Sequence, residues 1–128
     1  MSLPLQLLIV GTGGFIGSVL RFAIGGAIQR ALPMAGFPFG ILIVNVLGCG
    51  AIGVVTGFAD SRDVVTAEMR LFVAVGVLGG FTTFSAFAND GVAMIRDHAF
   101  GEAIATIALH VIVCFAAVWF GYRWANPA

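Results

Sequence analysis

Four long runs of mostly apolar residues make up most of this 128-residue chain and restrict what it can fold into. An α-helix rises about 1.5 Å per residue, so about 20 residues cross a hydrocarbon core about 30 Å thick. Only 9% of the residues are charged, and a single water-soluble domain could not bury so much apolar surface. The sequence therefore predicts an all-α membrane protein with four transmembrane helices in one domain, 1–128. The runs are Leu5–Leu32, Phe39–Ala59, Leu71–Ala88 and Ala103–Tyr122.

Polar and turn-forming segments separate these runs and set the limits of the predicted helices. Pro33, Gly36 and Pro38 end the first run, as turn residues do. The connector 60–70 is the most polar stretch of the chain. We place the spans at about 5–30, 39–59, 69–95 and 101–124, which leaves both termini on the same side of the membrane.

The arginines are divided evenly between the two sides of the predicted membrane. The positive-inside rule orients a chain by an excess of Lys and Arg in its short flanking loops. Here that excess is absent, which predicts insertion in both orientations and permits an antiparallel homodimer of dual topology. Arg62, Arg70 and Arg123 fall on the side of the termini, and Arg21, Arg30 and Arg96 fall on the opposite side.

Several functional classes lack the residues that they require. The net charge is zero and the basic residues form no cluster, so nucleic acid is not an expected partner. The glycine-rich segment 11–17 lacks both the third glycine and the preceding strand of a dinucleotide site. Cys49 and Cys114 lie inside apolar runs without the spacing of a metal site, which indicates apolar packing. No nucleophile and base are paired, so we do not expect an enzyme.

The third run contains the segment that most resists helix formation. Adjacent Gly79 and Gly80 and the β-branched Thr82 and Thr83 weaken a helix, which predicts a break near 79–83. Non-helical backbone inside a membrane persists only where it is buried in protein or lines a polar cavity. Carbonyl groups released by such a break can bind a cation. This segment is the strongest functional candidate.

Polar and aromatic side chains near the break admit two interpretations each. Asn45, inside the second run, either joins two helices by hydrogen bonds or lines a pore as a donor. Phe84 and Phe87 either pack together or turn their electropositive ring edges toward an anion, accompanied by Ser85 and Thr83. An arginine near the end of the first run, Arg21, either anchors the helix at the interface or attracts anions to a vestibule.

Three motifs together resemble the CrcB or Fluc fluoride channels of bacteria. They are the segment 13–17 with Arg21 and Phe22, Val44-Asn45 followed by Gly48, and the long string 76–87. The resemblance implies an antiparallel dual-topology homodimer with two pores, in which Asn45, Phe84 and Phe87 line the fluoride path. It also implies a structural sodium ion at the dimer interface, held by backbone carbonyls of Gly79 and Thr82 from both subunits.

Two positions depart from the pattern of that family. Ile41 and Cys114 stand where the family usually has hydroxyl residues. His110, four residues before Cys114, remains a polar group on the same track, so Thr83, Ser85 and His110 complete the expected fluoride path.

The resulting expectation is a passive fluoride-selective channel in the cell (inner) membrane that exports fluoride and relieves its toxicity. A proton-coupled small multidrug-type transporter is one alternative, but it needs a carboxylate in the first span and Leu5–Leu32 has none. A non-conducting membrane assembly subunit is another alternative, for which close glycine packing would suffice. It leaves a broken third span unexplained. The glycine pairs with that spacing are Gly13 and Gly17, Gly53 and Gly57, and Gly76 and Gly80.

Overall fold

A computed structural model describes residues 1–33 and 36–127 of the chain, and every regular element in it is a helix. The third crossing consists of two helices, α3 and α4, and the other three crossings are single helices. The four crossings are each long and apolar enough to span a membrane. The helices are α1 (Leu3–Ala31), α2 (Phe39–Arg62), α3 (Ala67–Met69, Arg70–Leu78 and Gly79–Phe81 in continuous succession), α4 (Phe84–Arg96) and α5 (Phe100–Ala125).

Local sequence accounts for where the helices begin and end. Pro4 lies in the first turn of α1, where its missing N–H is not needed. That helix ends before Pro33, which disfavours helical geometry in the residue before it. Helix α2 continues three residues past the predicted apolar run, through Arg62. It then stops where Asp63 adopts a left-handed conformation with φ of 49°.

Glycines bring two pairs of helices into close contact. A side chain at Gly57 of α2 would place its Cβ 2.6 Å from the carbonyl oxygen of Tyr122 on α5. A Cβ at Gly13 of α1 would lie 2.6 Å from the carbonyl oxygen of Phe72 on α3. The predicted small-residue pairs therefore lie at the contacts of α2 with α5 and of α1 with α3. Some phenylalanines, such as Phe22 at 86% exposure, lie on the surface of the helix bundle.

The third crossing is interrupted, but at different residues from those that the glycine argument favours. Residues Arg70–Leu78 form wide π-helical turns, and Gly79–Phe81 remain helical. Gly80 is helical because it packs against α1, where its Cβ would lie 3.0 Å from Gly14 Cα. The break falls at Thr82 and Thr83, which have extended backbones with ψ of 158° and 113°. The predicted break is present, and the β-branched pair rather than the glycine pair forms it.

Candidate functional site

The broken segment is held to α2 by the amide of Asn45. The Asn45 Nδ2 donates to the carbonyl oxygen of Thr83 over 3.1 Å, and the Thr83 N–H donates to Asn45 Oδ1 over 2.8 Å. Asn45 is 7% exposed, so these bonds satisfy polar groups that would be costly to leave unpaired in an apolar surrounding. The interhelical role of Asn45 is therefore present in the structure. Its second Nδ2 proton remains available to a ligand.

Thr83 also starts the helix that follows the break. Its Oγ1 accepts a hydrogen bond from the N–H of Ala86 over 3.1 Å, the usual role of a threonine N-cap. The same oxygen lies 3.3 Å from Ser85 Oγ, and either hydroxyl can be the donor. Thr83 and Ser85 thus form a hydroxyl pair at the first turn of α4.

The break releases several carbonyl groups from helical hydrogen bonding, among them those of Gly79 and Thr82. In an unbroken helix the Gly79 oxygen would accept from the N–H of Thr83, which instead donates to Asn45. The Thr82 oxygen would accept from the N–H of Ala86, which instead donates to Thr83 Oγ1. Both released groups are oxygen ligands of the kind that hard cations prefer. The family resemblance implies sodium binding by these same two carbonyls.

Arg21 reaches this segment from α1. Its Nη1 donates to the Thr82 carbonyl oxygen over 3.1 Å. Arg21 lies well inside Leu3–Ala31, ten residues before the helix ends. The guanidinium thus binds the broken backbone and also lines a large cavity beside it. Arg21 thus lies inside the first span, and both predicted roles, anchoring and attraction of anions, stay predictions.

Three rings form a contiguous row next to the break. The Phe84 and Phe87 rings meet edge to face with centroids 5.3 Å apart, and the Phe87 and His110 rings lie 4.1 Å apart at 31°. Phe84 is 79% exposed, whereas His110 on α5 is 6% exposed. The predicted pair is therefore in mutual contact, and His110 extends it into the helix bundle.

His110 presents one ring nitrogen without a hydrogen-bond partner. Its Nδ1 lies 2.8 Å from the Thr106 carbonyl oxygen, and because a carbonyl can only accept, Nδ1 carries the proton. Nε2 is buried and has no partner. A neutral His110 therefore exposes a lone pair at Nε2, and only the imidazolium form can donate from that atom.

Two cavities meet at the break, and Thr83 lines both. We call the cavity of about 390 Å³ the inner cavity and the one of about 1290 Å³ the outer cavity. The outer cavity is charged and hydroxylic, and the inner cavity is mainly apolar. Among the residues of the outer cavity are Arg21, Ile41, Ser85, Asn89 and Asp90, and among those of the inner cavity are Asn45, Cys49, Phe84, Phe87, His110 and Cys114.

The structure brings together all the residues that the sequence proposed for the fluoride path. Gly79 and Thr82 also line the inner cavity. The sequence did not identify Cys49 as a residue of the inner cavity, or Thr106 as the hydrogen-bond acceptor for His110. Cys49 lies four residues after Asn45, a spacing that places two side chains on one helix face and could have identified it.

A metal site built from side chains is not apparent in the described part of the chain. Within residues 1–33 and 36–127, no three His, Cys, Asp or Glu side chains are grouped so as to hold a metal ion.

Sequence comparisons connect this arrangement to known proteins. The family described as CrcB-like protein, Camphor Resistance (CrcB), matches residues 8–122. Proteins named fluoride-specific ion channel FluC are similar over most of the chain. The relative from Sulfurovum sp. (strain NBC37-1) is 42% identical over 118 residues, covering 92% of this chain and 91% of its own. The relative from Elusimicrobium minutum is 40% identical over 126 residues, covering 98% of each chain. The relative from Rhizobium etli is 44% identical over 122 residues, covering 91% of this chain and 93% of its own.

Proposed function

The chain belongs to the CrcB-like family, and from this premise we propose that it is a passive fluoride-selective channel that exports fluoride across the membrane. The observation that carries the proposal is the broken third crossing, where the Asn45 amide binds Thr83 between a wide polar cavity and a narrow aromatic one. Its relatives are named as ion channels, not enzymes. The proton-coupled transporter gains no support, because α1 contains no carboxylate. The non-conducting assembly subunit gains none either, because the relatives are named as ion channels.

In this proposal the outer cavity collects the anion. Arg21 supplies a positive charge there, and a charged cleft with low-dielectric walls raises the local concentration of its counter-ion. Ser85 and Asn89 line the same cavity and can donate hydrogen bonds to a partly hydrated fluoride ion. Fluoride therefore arrives at Thr83 with some of its water already replaced.

The inner cavity then completes the dehydration. The free Nδ2 proton of Asn45 and the one hydroxyl proton that Thr83 and Ser85 do not share with each other are donors at the junction. The edges of the Phe84 and Phe87 rings carry partial positive charge and follow directly. A pore must bind its ion weakly enough at each site to release it, and a series of weak donors meets that requirement.

Transport in this proposal is passive, in the cell (inner) membrane. A negative-inside potential drives an anion outward with about 2.3 kcal/mol per charge per 100 mV. No coupling reaction is needed, and fluoride leaves the cell whenever its internal concentration rises.

We propose that the working unit is an antiparallel dual-topology homodimer. With Arg21 inside the first span, three arginines fall on one side and two on the other, and this near balance supports both orientations. Phe84 and Gly79 are exposed at the open side of the inner cavity, where one subunit offers no further wall. A second copy in the opposite orientation would close that side and give two equivalent paths.

The released carbonyls of Gly79 and Thr82 are the groups that would hold a sodium ion at the dimer interface. Oxygen ligands suit a hard cation, and each subunit would provide the same two oxygens. The positive charge of the ion would attract the carbonyl oxygens of both broken helices and so hold the two helices close together. Arg21, already bound to the Thr82 oxygen, would orient that carbonyl.

The direct test is ion efflux from liposomes that contain the purified protein. We expect fluoride to leave far faster than chloride, and protein-free liposomes give the background for both ions. Equal fluoride and chloride rates, or fluoride release no faster than the background, would contradict the proposed channel. Counting the chains in each assembly, or cross-linking them in the same liposomes, tests the homodimer separately from the ion efflux.

A further inference from the structure

The peptide unit that joins Thr82 to Thr83 is held at both ends by side chains of two other helices. Arg21 of α1 donates from Nη1 to the Thr82 carbonyl oxygen over 3.1 Å. Asn45 of α2 accepts at Oδ1 from the Thr83 N–H over 2.8 Å. The two side chains therefore bind the oxygen and the nitrogen of one rigid, planar group.

Both ends of this peptide unit have an alternative partner within the third crossing itself. In a continuous helix the Thr82 oxygen would accept from the N–H of Ala86, which here donates to Thr83 Oγ1. The Thr83 N–H would donate to the Gly79 oxygen. The two side chains thus compete with helical hydrogen bonding for the same two groups. The extended backbones of Thr82 and Thr83 show that the side chains prevail.

We propose that Arg21 is a positioning residue that keeps the third crossing broken, and that without it the Thr82–Thr83 unit returns for part of the time to helical geometry. A charged donor makes a hydrogen bond about twice as strong as a neutral donor, and Arg21 is half-buried, which limits competition from water. Without this donor the Thr82 oxygen would gain most from a helical partner. This role stands on the geometry alone, and its effect on transport rests on the proposed channel function.

The packing of α1 explains how Arg21 reaches the break. A Cβ at Gly17, one turn before Arg21, would lie 2.8 Å from the backbone nitrogen of Phe81. The backbone of α1 therefore lies directly against the last helical residue before the break. A side chain one turn further along α1 meets the first extended residue, Thr82.

Return of the peptide unit to the helix would change the junction of the two cavities. The Thr83 N–H would leave Asn45 Oδ1, so the amide would lose one of the two bonds that fix its orientation. The Nδ2 proton that serves the proposed fluoride path would then no longer be held in place. Arg21 therefore supports a donor of the path from the side of the outer cavity.

The sequence allows this single peptide unit to be observed. Thr82 and Thr83 are the only adjacent threonines in the chain, so threonine labelled with ¹³C at the carbonyl and ¹⁵N at the amide gives one directly bonded pair. Solid-state NMR of the full-length protein in lipid reads the carbonyl shift, which differs between extended and helical backbone. It also reads the rate at which the Thr83 N–H exchanges in heavy water. We expect one extended signal from the wild-type protein.

Variants of two arginines separate the hydrogen bond from the charge. Arg21→Gln should show a helical signal and exchange the Thr83 N–H at least about tenfold faster, whereas Arg21→Lys keeps a charged donor and should restore the wild-type spectrum. Arg30 lines the same cavity but lies roughly 13 Å further along α1, so Arg30→Gln should leave the spectrum unchanged. A wild-type spectrum from Arg21→Gln, or an equal change in Arg30→Gln, would overturn the positioning role.

A measurement on the wild-type protein decides the case in which Arg21→Gln does not fold. Arginine labelled with ¹⁵N in the guanidinium should show a dipolar contact with the Thr82 carbonyl, which is selected through its bond to the Thr83 nitrogen. Arg30→Gln should retain this contact. Its absence from the wild-type spectrum would overturn the proposal.

The effect on transport is measured in liposomes at high salt, where attraction of the anion by arginine is screened. We expect fluoride efflux through Arg21→Gln to remain about twofold below wild type there, because part of the population is unbroken, and Arg30→Gln to reach the wild-type rate. A helical signal in Arg21→Gln with wild-type efflux at high salt would refute the effect on transport. A wild-type protein that releases no fluoride would refute the channel, while the spectra still decide the positioning role.

Discussion

The two cavities that meet at Thr83 differ in size and in the groups that line them. The outer cavity has about 1290 Å³ and carries full charges of both signs, including Arg21 and Asp90. The inner cavity has about 390 Å³ and offers an amide, an imidazole, two thiols and aromatic rings. A hydrated anion can keep much of its water in the first and has to give it up in the second. In the proposed channel we therefore expect the selective step at the junction between them.

The junction itself is made of the residues that also hold the fold together. Asn45 satisfies the backbone of Thr83, and Thr83 caps the next helix through its hydroxyl. Loss of the junction amide should therefore have the largest effect, loss of an inner-cavity ring a smaller one, and loss of the outer-cavity charge a smaller effect again. The following variants test that order.

Removing the amide at the junction should have the largest effect. Asn45→Ala leaves the carbonyl and the N–H of Thr83 without partners at a cost of about 1–3 kcal/mol each, and it removes a pore donor. We expect fluoride efflux per folded protein to fall by about 100-fold or more. Size-exclusion chromatography gives the folded amount for this normalisation.

A matched control for Asn45 lies on the same helix. Thr56 is exposed and bonds only to the Ile52 carbonyl within α2, so Thr56→Ala should leave the efflux unchanged. If the two variants conduct equally well, the junction is not the selective step.

Replacing an aromatic ring of the inner cavity should have the next largest effect. Phe87 contacts both Phe84 and His110, and Phe87→Leu keeps an apolar side chain while removing the ring edge. We expect fluoride efflux to fall by about tenfold, because the edge contribution is of the order of 1 kcal/mol. Phe120→Leu, at a 71% exposed position on α5, is the control and should conduct normally. A matching loss in both variants would indicate a general packing effect.

Arg21 should contribute a smaller effect with a distinctive dependence on salt. Arg21→Gln removes the positive charge from the outer cavity, and we expect efflux at low ionic strength to fall by about three- to fivefold. The difference from wild type should shrink at high salt, since screening acts over about 8 Å at physiological ionic strength. Arg21→Lys keeps the charge and should behave like wild type at low salt. A loss that is independent of salt would assign Arg21 to positioning Thr82 alone.

The amino-acid sequence predicts the crossings and the approximate place of the break because both depend on local composition. Apolar length fixes where a helix can cross lipid, and β-branched residues next to glycines mark weak helix. The bond from Asn45 to Thr83 spans 38 residues and the bond from Arg21 to Thr82 spans 61, so local patterns do not contain them. The glycine pair does not break the helix. Gly80 stays helical because it packs closely against Gly14 of α1, a contact that local sequence does not reveal.

The smallest effects should come from restoring hydroxyls at Ile41 and Cys114, and they compare the two cavities directly. Ile41 lines the outer cavity, where water already supplies donors, so Ile41→Thr should change fluoride efflux by less than about twofold. Cys114 lines the inner cavity, where a serine hydroxyl is a stronger donor than a thiol. Cys114→Ser should therefore raise efflux by about two- to threefold, equivalent to less than 1 kcal/mol. If Ile41→Thr gives the larger gain, dehydration begins in the outer cavity and the assignment of the selective step moves there.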